Sequence, residues 1–499
     1  MKKGLTVGHR PQWNTHTGFL LAAIGSAIGL GNIWRFPYLC YKNGGGAFLV
    51  PYFLALVIVG IPFMILEISL GHKMRGSAPA SYARVSTRWE WLGWWQVLFV
   101  MFGIGLYYTV VIAWCFYYFL LSFGLNWGAD PNAFFFNDFL MISEGPFEVG
   151  KIRLPILFSL AIVWFSNWFI VFRGVEKGLE KANKLFMPLL FLLILILVGW
   201  SINLPGSAEG IGVYLKPDFE KLKDIGVWID AVSQIFFTLS IAFGILIAYA
   251  SYLPKKSQIA KDSVTISIAN CSFSLIAGVG VFSVLGYMAH KLSLPIDKVV
   301  SKSIGLAFVV FPKAIGMLPA FSQLFGVLFF GCLVIAGLSS SVSILEAFTS
   351  ATIDKFHYSR KTVVSVLAAA GLFGSTIFAT QGGLFWLDIV DHFLTQYGLV
   401  LGGILECILI GWIYKAYVLR EHINSVCQLR LLSWWDYAVK IVIPATLAVI
   451  LVNGFLKEVT SPYEGYPWLA IVLIGIDWVI FTLFFAMIVA AKPWKDYQL

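Results

Sequence analysis

Apolar residues run through this chain in long continuous blocks parted by short polar connections. Neither a one-sided helical stripe nor a strict alternation describes them. A membrane-crossing helix needs roughly 20 mostly apolar residues. Blocks of that size recur at 17–40, 46–71, 93–124, 155–173, 186–203, 226–252, 262–290, 320–352, 362–380, 388–415, 437–456 and 467–491. Alternating ten-residue segments do not recur, which excludes a transmembrane β-barrel. The pattern predicts an all-α polytopic membrane protein of twelve transmembrane helices, with both termini on one side. No linker divides 1–499, so one transmembrane domain is expected. Within it, 17–203 forms a first set of five spans, 226–415 a second, and 437–491 two accessory helices.

Two of the blocks are interrupted by small and hydroxyl residues. The first reads Gly25-Ser26-Ala27-Ile28-Gly29-Leu30-Gly31-Asn32, the sixth Thr238-Leu239-Ser240-Ile241-Ala242-Phe243-Gly244. Each glycine weakens a helix interior by about 1 kcal/mol relative to alanine. Unwound backbone at membrane depth is tolerated where it is buried in protein or lines a cavity. Gly25 and Gly29 could instead serve as a small-xxx-small packing face. The recurrence of the break five spans later favours function, because paired interruptions mark the binding site of transporters built from inverted repeats. Ser339, Ser340 and Ser341 interrupt span 8 after Ala336-Gly337. Hydroxyls and freed carbonyls suit a hard cation better than nitrogen or sulfur would.

Composition sharpens the class. Charged residues make up 12% of the chain, about half the usual share, and mean hydropathy is +0.83. These values exclude a disordered chain, a water-soluble enzyme and an ordinary nucleic-acid binder; the lipid bilayer is the expected partner. The net charge of +9 resides in connections. With the termini inside, about two-thirds of Lys and Arg fall on the inner side, so the positive-inside rule places both ends in the cytoplasm. The polar first fifteen residues argue against a cleaved signal peptide. The six cysteines lack metal-ligand spacing, and the Asn270-Cys271-Ser272 sequon is inside a span. With short tails and a short second outer loop, a prokaryotic cytoplasmic membrane is expected. Ionisable groups within spans mark pathways or partners. Arg35 follows the first break, and Asp388 and Asp391 open span 10 on the outer side, so Arg35 with Asp391 is expected to gate an outer vestibule. Glu67, Glu346 and Glu406 are expected to be structural acceptors holding helix ends, Glu67 and Glu406 foremost.

At these residues the chain resembles the neurotransmitter:sodium symporter family, in its bacterial amino-acid branch with the leucine-transporter fold. The resemblance rests on Gly25–Pro37 continuing through Asn43-Gly44-Gly45-Gly46-Ala47-Phe48, on Gln234–Gly244 continuing to Tyr249-Ala250-Ser251-Tyr252, on Ala336–Ser341 and on Tyr107-Tyr108. It implies a five-plus-five inverted repeat with broken helices one and six, and two sodium sites. One would use Ala27, Asn32, Thr238 and Asn270. The other would use the carbonyls of Gly25, Ile28 and Ala336 with the hydroxyls of Ser339 and Ser340. The resemblance further implies that Tyr108 and Phe237 bind and roof the substrate, that Arg35 and Asp391 form the outer gate, and that Arg10 and Asp354 form the inner one, supported by Trp13 and Tyr252.

Two expectations go beyond membership. Monoamine-carrying relatives place an aspartate at the position of Gly29; here the site has no carboxylate, so the substrate is expected to bring its own. That carboxylate would complete the first sodium site and meet the N–H groups of Leu30 and Gly31. Chloride-independent relatives carry a carboxylate one turn after Asn270, where this chain has Ser274. A chloride ion held by Tyr52, Gln234, Thr238 and Ser274 is expected to stand in for it. Ser26, Ala27, Gly29, Leu30, Gly31, Ile104, Tyr108, Phe237, Thr238, Ser240, Ala242, Phe243, Ser340 and Ile344 should form the substrate pocket, sized for a small or medium neutral amino acid. The expected activity is sodium-coupled, chloride-dependent import by alternating access, not enzyme chemistry. A membrane-embedded amino-acid sensor is the alternative, and the sequence leaves monomer and dimer open.

Overall fold

The computed structural model describes residues 10–301 and 303–495; the extreme termini lie outside the described residues. Among these residues the chain is helical throughout, without a named strand. Ten helices are long and apolar enough to cross a membrane: Gly45–Met74, Thr87–Leu121, Leu154–Phe172, Val175–Ser201, Ile259–Leu292, Ser322–Phe356, Arg360–Ala379, Gly383–Ile413, Trp434–Gly465 and Trp468–Ala491. They correspond to expected spans 2 to 5 and 7 to 12. Span 1 is a bent pair, His16–Ala27 and Leu30–Lys42, with a 66° turn between its halves. Span 6 consists of Ile225–Thr238 and Ile245–Ala250, parted by a non-helical stretch. Both predicted breaks therefore exist, and they account for spans 1 and 6.

The second break shows why its residues matter. Ser240, Ala242 and Gly244 adopt left-handed backbone at φ +51°, +64° and +71°. Glycine takes this conformation freely, whereas a β-carbon makes it costly. Such strain persists only where the surroundings impose it. Glu67 of span 2 is fully buried near the backbone of Ala242 and Gly244, but neither of its carboxyl oxygens has a hydrogen-bond partner among the described residues. Glu406 accepts a hydrogen bond from Gln96 Nε2 at 3.0 Å. Glu346 belongs instead to the cluster around Arg10 described below.

Spans 1, 3, 6 and 8 surround the two breaks. The bundle interior is closely filled, and all six cysteines are buried and free. Bulky apolar side chains of spans 4, 5, 11 and 12, such as Leu192, Phe165, Val452 and Phe484, remain exposed. Such an outward apolar surface is what a bilayer would cover. Short helices in the connections, including Ala78–Val85, Ser207–Leu215, Phe311–Gly316 and Ala416–Val426, were not expected from hydropathy. They are too short to register as apolar blocks.

Candidate substrate and ion sites

A cavity of about 50 Å³ opens between the two breaks. Ser26, Ala27, Gly29, Leu30, Gly31 and Asn32 line it from span 1, Ile104 and Tyr108 from span 3, Phe237, Thr238, Ser240, Phe243 and Ile245 from span 6, and Ser340 and Ile344 from span 8. These include the expected pocket residues with one exception. Ala242 is not in the wall: its methyl is fully buried, and its part in the break is the left-handed backbone. Ile245, which sequence reasoning missed, takes a place in the lining.

The first break ends one helix at Ala27 and starts another at Leu30, with Gly29 in extended conformation between them. The Gly29 N–H donates to Asn32 Oδ1 at 2.9 Å, and the Leu30 N–H donates to the Tyr108 hydroxyl at 3.3 Å. A β-carbon built on Gly29 would lie 2.9 Å from the Tyr108 oxygen and 3.3 Å from Ser340 Oγ. A side chain at Gly29 would therefore have to displace the Tyr108 hydroxyl.

Two groups of oxygens flank the cavity. In the first, Asn32 Nδ2 donates to Asn270 Oδ1 and to Ser274 Oγ, each at 2.8 Å. Asn270 in turn exchanges hydrogen bonds with Thr238 Oγ1 at 3.2–3.3 Å. Asn32, Thr238 and Asn270 are all buried, and Ala27 stands beside them in the cavity lining. In the second group, Ser340 Oγ lies 3.2–3.3 Å from four carbonyl oxygens, those of Gly25, Ser26, Ile28 and Ala336. One hydroxyl proton cannot satisfy four acceptors. The Ser339 hydroxyl donates to the same Ala336 carbonyl at 2.9 Å. Six oxygens with two protons between them, drawn from two spans, form a cradle suited to a small hard cation.

Next to the first group, Gln234 sits one helical turn before Thr238. Its amide is fully buried, and neither its nitrogen nor its oxygen has a hydrogen-bond partner among the described residues. Tyr52 is equally buried, and its hydroxyl reaches Cys271 Sγ at 3.3 Å. Ser274 Oγ turns back to the Asn270 carbonyl at 3.2 Å. An orphaned buried amide costs about 1–3 kcal/mol, so this corner holds polar groups in want of a partner.

The pair expected at the inner gate is joined. Arg10 Nη1 meets Asp354 Oδ1 at 2.7 Å, its Nε donates to Ser251 Oγ at 2.9 Å, its Nη2 donates to Ser350 Oγ at 3.1 Å, and the guanidinium lies over the Tyr252 ring. The other Asp354 oxygen accepts from the Ser77 N–H at 2.8 Å. Trp13 donates through Nε1 to the Tyr249 carbonyl and through its backbone to the Tyr252 carbonyl. Tyr252 donates to Glu346, which also pairs with Arg360. Ser77, Ser251, Ser350 and Arg360 were not singled out from sequence, because nothing local marks them as neighbours of residue 10.

The outer pair is not joined. Asp391 accepts from the Tyr107 hydroxyl, while the Arg35 guanidinium lies over the Phe237 ring at 5.1 Å. The two charges remain within electrostatic reach of each other. Asp388, the other acid of that region, is taken by the hydroxyls of Tyr463 and Tyr466 at 3.1 and 2.9 Å.

A helical membrane bundle with a cavity between two broken spans is the architecture in which secondary transporters place their binding sites. The comparisons are specific. Residues 10–133 and 125–495 match the sodium:neurotransmitter symporter family. An uncharacterized sodium-dependent transporter of Methanocaldococcus jannaschii is 49% identical over 457 residues, covering 92% of this chain and 93% of its own. The sodium- and chloride-dependent GABA transporter 2 of Rattus norvegicus and that of Mus musculus are each 30% identical over 532 residues, covering 98% of this chain and 87% of theirs. The chain belongs to the sodium:neurotransmitter symporter family. It is a multi-pass membrane protein of a sodium-coupled transporter family, not of an enzyme class.

Proposed function

We propose that the chain imports a small neutral amino acid with two sodium ions and a chloride ion by alternating access. The observation that carries this reading is the cavity at the two breaks, with its crowded oxygens and its missing carboxylate. The Ser340 cradle would take one sodium ion. The Asn32, Thr238 and Asn270 oxygens with the Ala27 carbonyl would take the other. A substrate carboxylate would complete that second site and displace the Tyr108 hydroxyl from the Leu30 N–H. The small volume and the β-branched Ile104 favour a small side chain, although one methylene changes discrimination by only about 1–3 kcal/mol. The names of the mammalian relatives specify a substrate that carries both an amine and a carboxylate, in keeping with this reading.

Chloride would occupy the corner of Tyr52, Gln234, Thr238 and Ser274, where the orphaned Gln234 amide supplies a donor. Two sodium ions, one chloride ion and a zwitterion carry one net charge. At 100 mV that charge supplies about 2.3 kcal/mol, or roughly fifty-fold accumulation before any sodium gradient is counted. Under this reading the joined Arg10 and Asp354 latch the inner face, and with Arg35 and Asp391 parted the conformer is open to the outside. Binding would draw the outer pair together, and the bundle of spans 1, 2, 6 and 7 would rock to free the inner latch. The protein would reside in the cytoplasmic membrane with both termini inside.

Uptake of a mixed pool of labelled amino acids into proteoliposomes tests this reading. Accumulation that requires both sodium and chloride, with potassium and gluconate as replacements, is expected. Accumulation with sodium alone would discard the chloride site. Sodium-dependent binding without accumulation would replace the symporter by a sensor.

A further inference from the structure

Span 12 carries a carboxylate at a depth where the bilayer has no water to offer it. Asp477 is nine residues beyond Trp468 in the helix Trp468–Ala491. At 1.5 Å per residue this is about 14 Å from the outer end, near the middle of a hydrocarbon layer about 30 Å thick. The side chain is exposed, as are its neighbours Leu473, Phe481 and Phe485 on the same outward face. Among the described residues it has no hydrogen-bond or ion-pair partner. An intramembrane charge of this kind is costly and reads as functional by default.

Asp477 also opens onto a groove of about 630 Å³ between spans 3, 10 and 12, walled by Leu98, Phe102, Trp386, Trp478, Phe481 and Phe485. No Lys, Arg or His is in that lining. A carboxylate set among aromatic rings attracts a cation twice over, by its charge and by the ring faces. The remaining wall suits a hydrocarbon body. A ligand dissolved in the bilayer reaches this depth directly. The groove lies behind the substrate cavity: Trp478 Nε1 donates to the Phe102 carbonyl at 2.9 Å, within the kinked stretch Val100–Ile104 whose last residue lines that cavity.

We propose that this groove binds an amphiphilic cation, an amine on an apolar body, with the amine on Asp477 and the body along Phe102, Trp478 and Phe481. The site is separate from the sodium and substrate sites and does not depend on which amino acid is carried.

The test uses the full chain in phosphatidylcholine nanodiscs and a dodecylamine bearing a diazirine on its chain, with the matching dodecanol as control. Labelled peptides are mapped by mass spectrometry. The amine is expected to label 98–102 and 473–485 at least tenfold more strongly than the alcohol, and Asp477→Asn is expected to reduce it to the alcohol's level. In the unmodified protein, a dodecyl quaternary ammonium is expected to displace the label, while an uncharged dodecyl glycoside leaves it in place. Equal labelling by amine and alcohol, undiminished labelling of the variant, or displacement by the glycoside alone would overturn the proposal. A covalent link from the groove to a second copy that excludes the amine would overturn it as well.

Discussion

Arg10 and Asp354, 344 positions apart in the chain, meet at 2.7 Å. The same guanidinium holds Ser251 of span 6 and Ser350 of span 8, so one side chain ties the segment before span 1 to both. Removing it should release that segment. Arg10→Ala is expected to cost this arrangement about 1.5–3 kcal/mol, the range for hydrogen bonds to charged groups. Hydrogen exchange across 13–27 should quicken about ten- to hundredfold; unchanged protection would deny the pair its latching role.

Ser340 stands where four carbonyls converge. Ser340→Ala removes the hydroxyl while leaving the helix intact. If the cradle takes sodium, the half-saturating sodium concentration for uptake should rise roughly ten- to hundredfold, the equivalent of about 1.5–3 kcal/mol. Ser341→Ala is the control: its hydroxyl is engaged by Asn167 Oδ1 at 2.8 Å, and its sodium dependence should not move.

Ser274 accepts from Asn32 and sits one turn beyond Asn270. Ser274→Glu places a fixed negative charge in that corner. Uptake in gluconate should then approach uptake in chloride. A variant that transports yet keeps the full chloride requirement would count against the anion site.

Asp391 is held by Tyr107 rather than by Arg35 in the structure described. Under the gate reading, Asp391→Asn should impair uptake without unfolding the protein. Tyr107→Phe, which frees the carboxylate for Arg35, should favour outer closure and slow the exchange of external substrate in a stopped-flow binding assay. Unaltered uptake in Asp391→Asn would remove the gate assignment.

His422, in the connection helix Ala416–Val426, has Nε2 2.9 Å from His72 Nδ1. Burial first, then the nearby charges of His72, Lys73 and Arg75, hold its pKa at about 4. In the unfolded chain a histidine titrates near 6.5. Between those values the unfolded chain binds a proton that the folded one does not, so stability falls as pH drops from about 6.5 towards 4. The thermal midpoint should decline over that window and stay flat above it. His422→Gln should reduce the decline, and an equal decline in the variant would place its origin elsewhere.

Much of this molecule was legible before any coordinates. The length of each apolar block determined the spans, since a helix must satisfy its backbone internally to cross hydrocarbon. Glycine and serine at the two breaks determined where that regularity fails. The hydroxyls and carbonyls there pointed to a hard cation, and the family resemblance added the expectation of a substrate bearing its own acid. Tertiary structure decided what contact across hundreds of residues decides. It decided that Arg10 finds Asp354 while Arg35 does not find Asp391, and that Ala242 contributes strained backbone instead of cavity wall. It also exposed Asp477 in an aromatic groove. Local sequence encodes helix length and breakage because those depend on neighbours a turn away. It is silent on partners that only the packed bundle brings together.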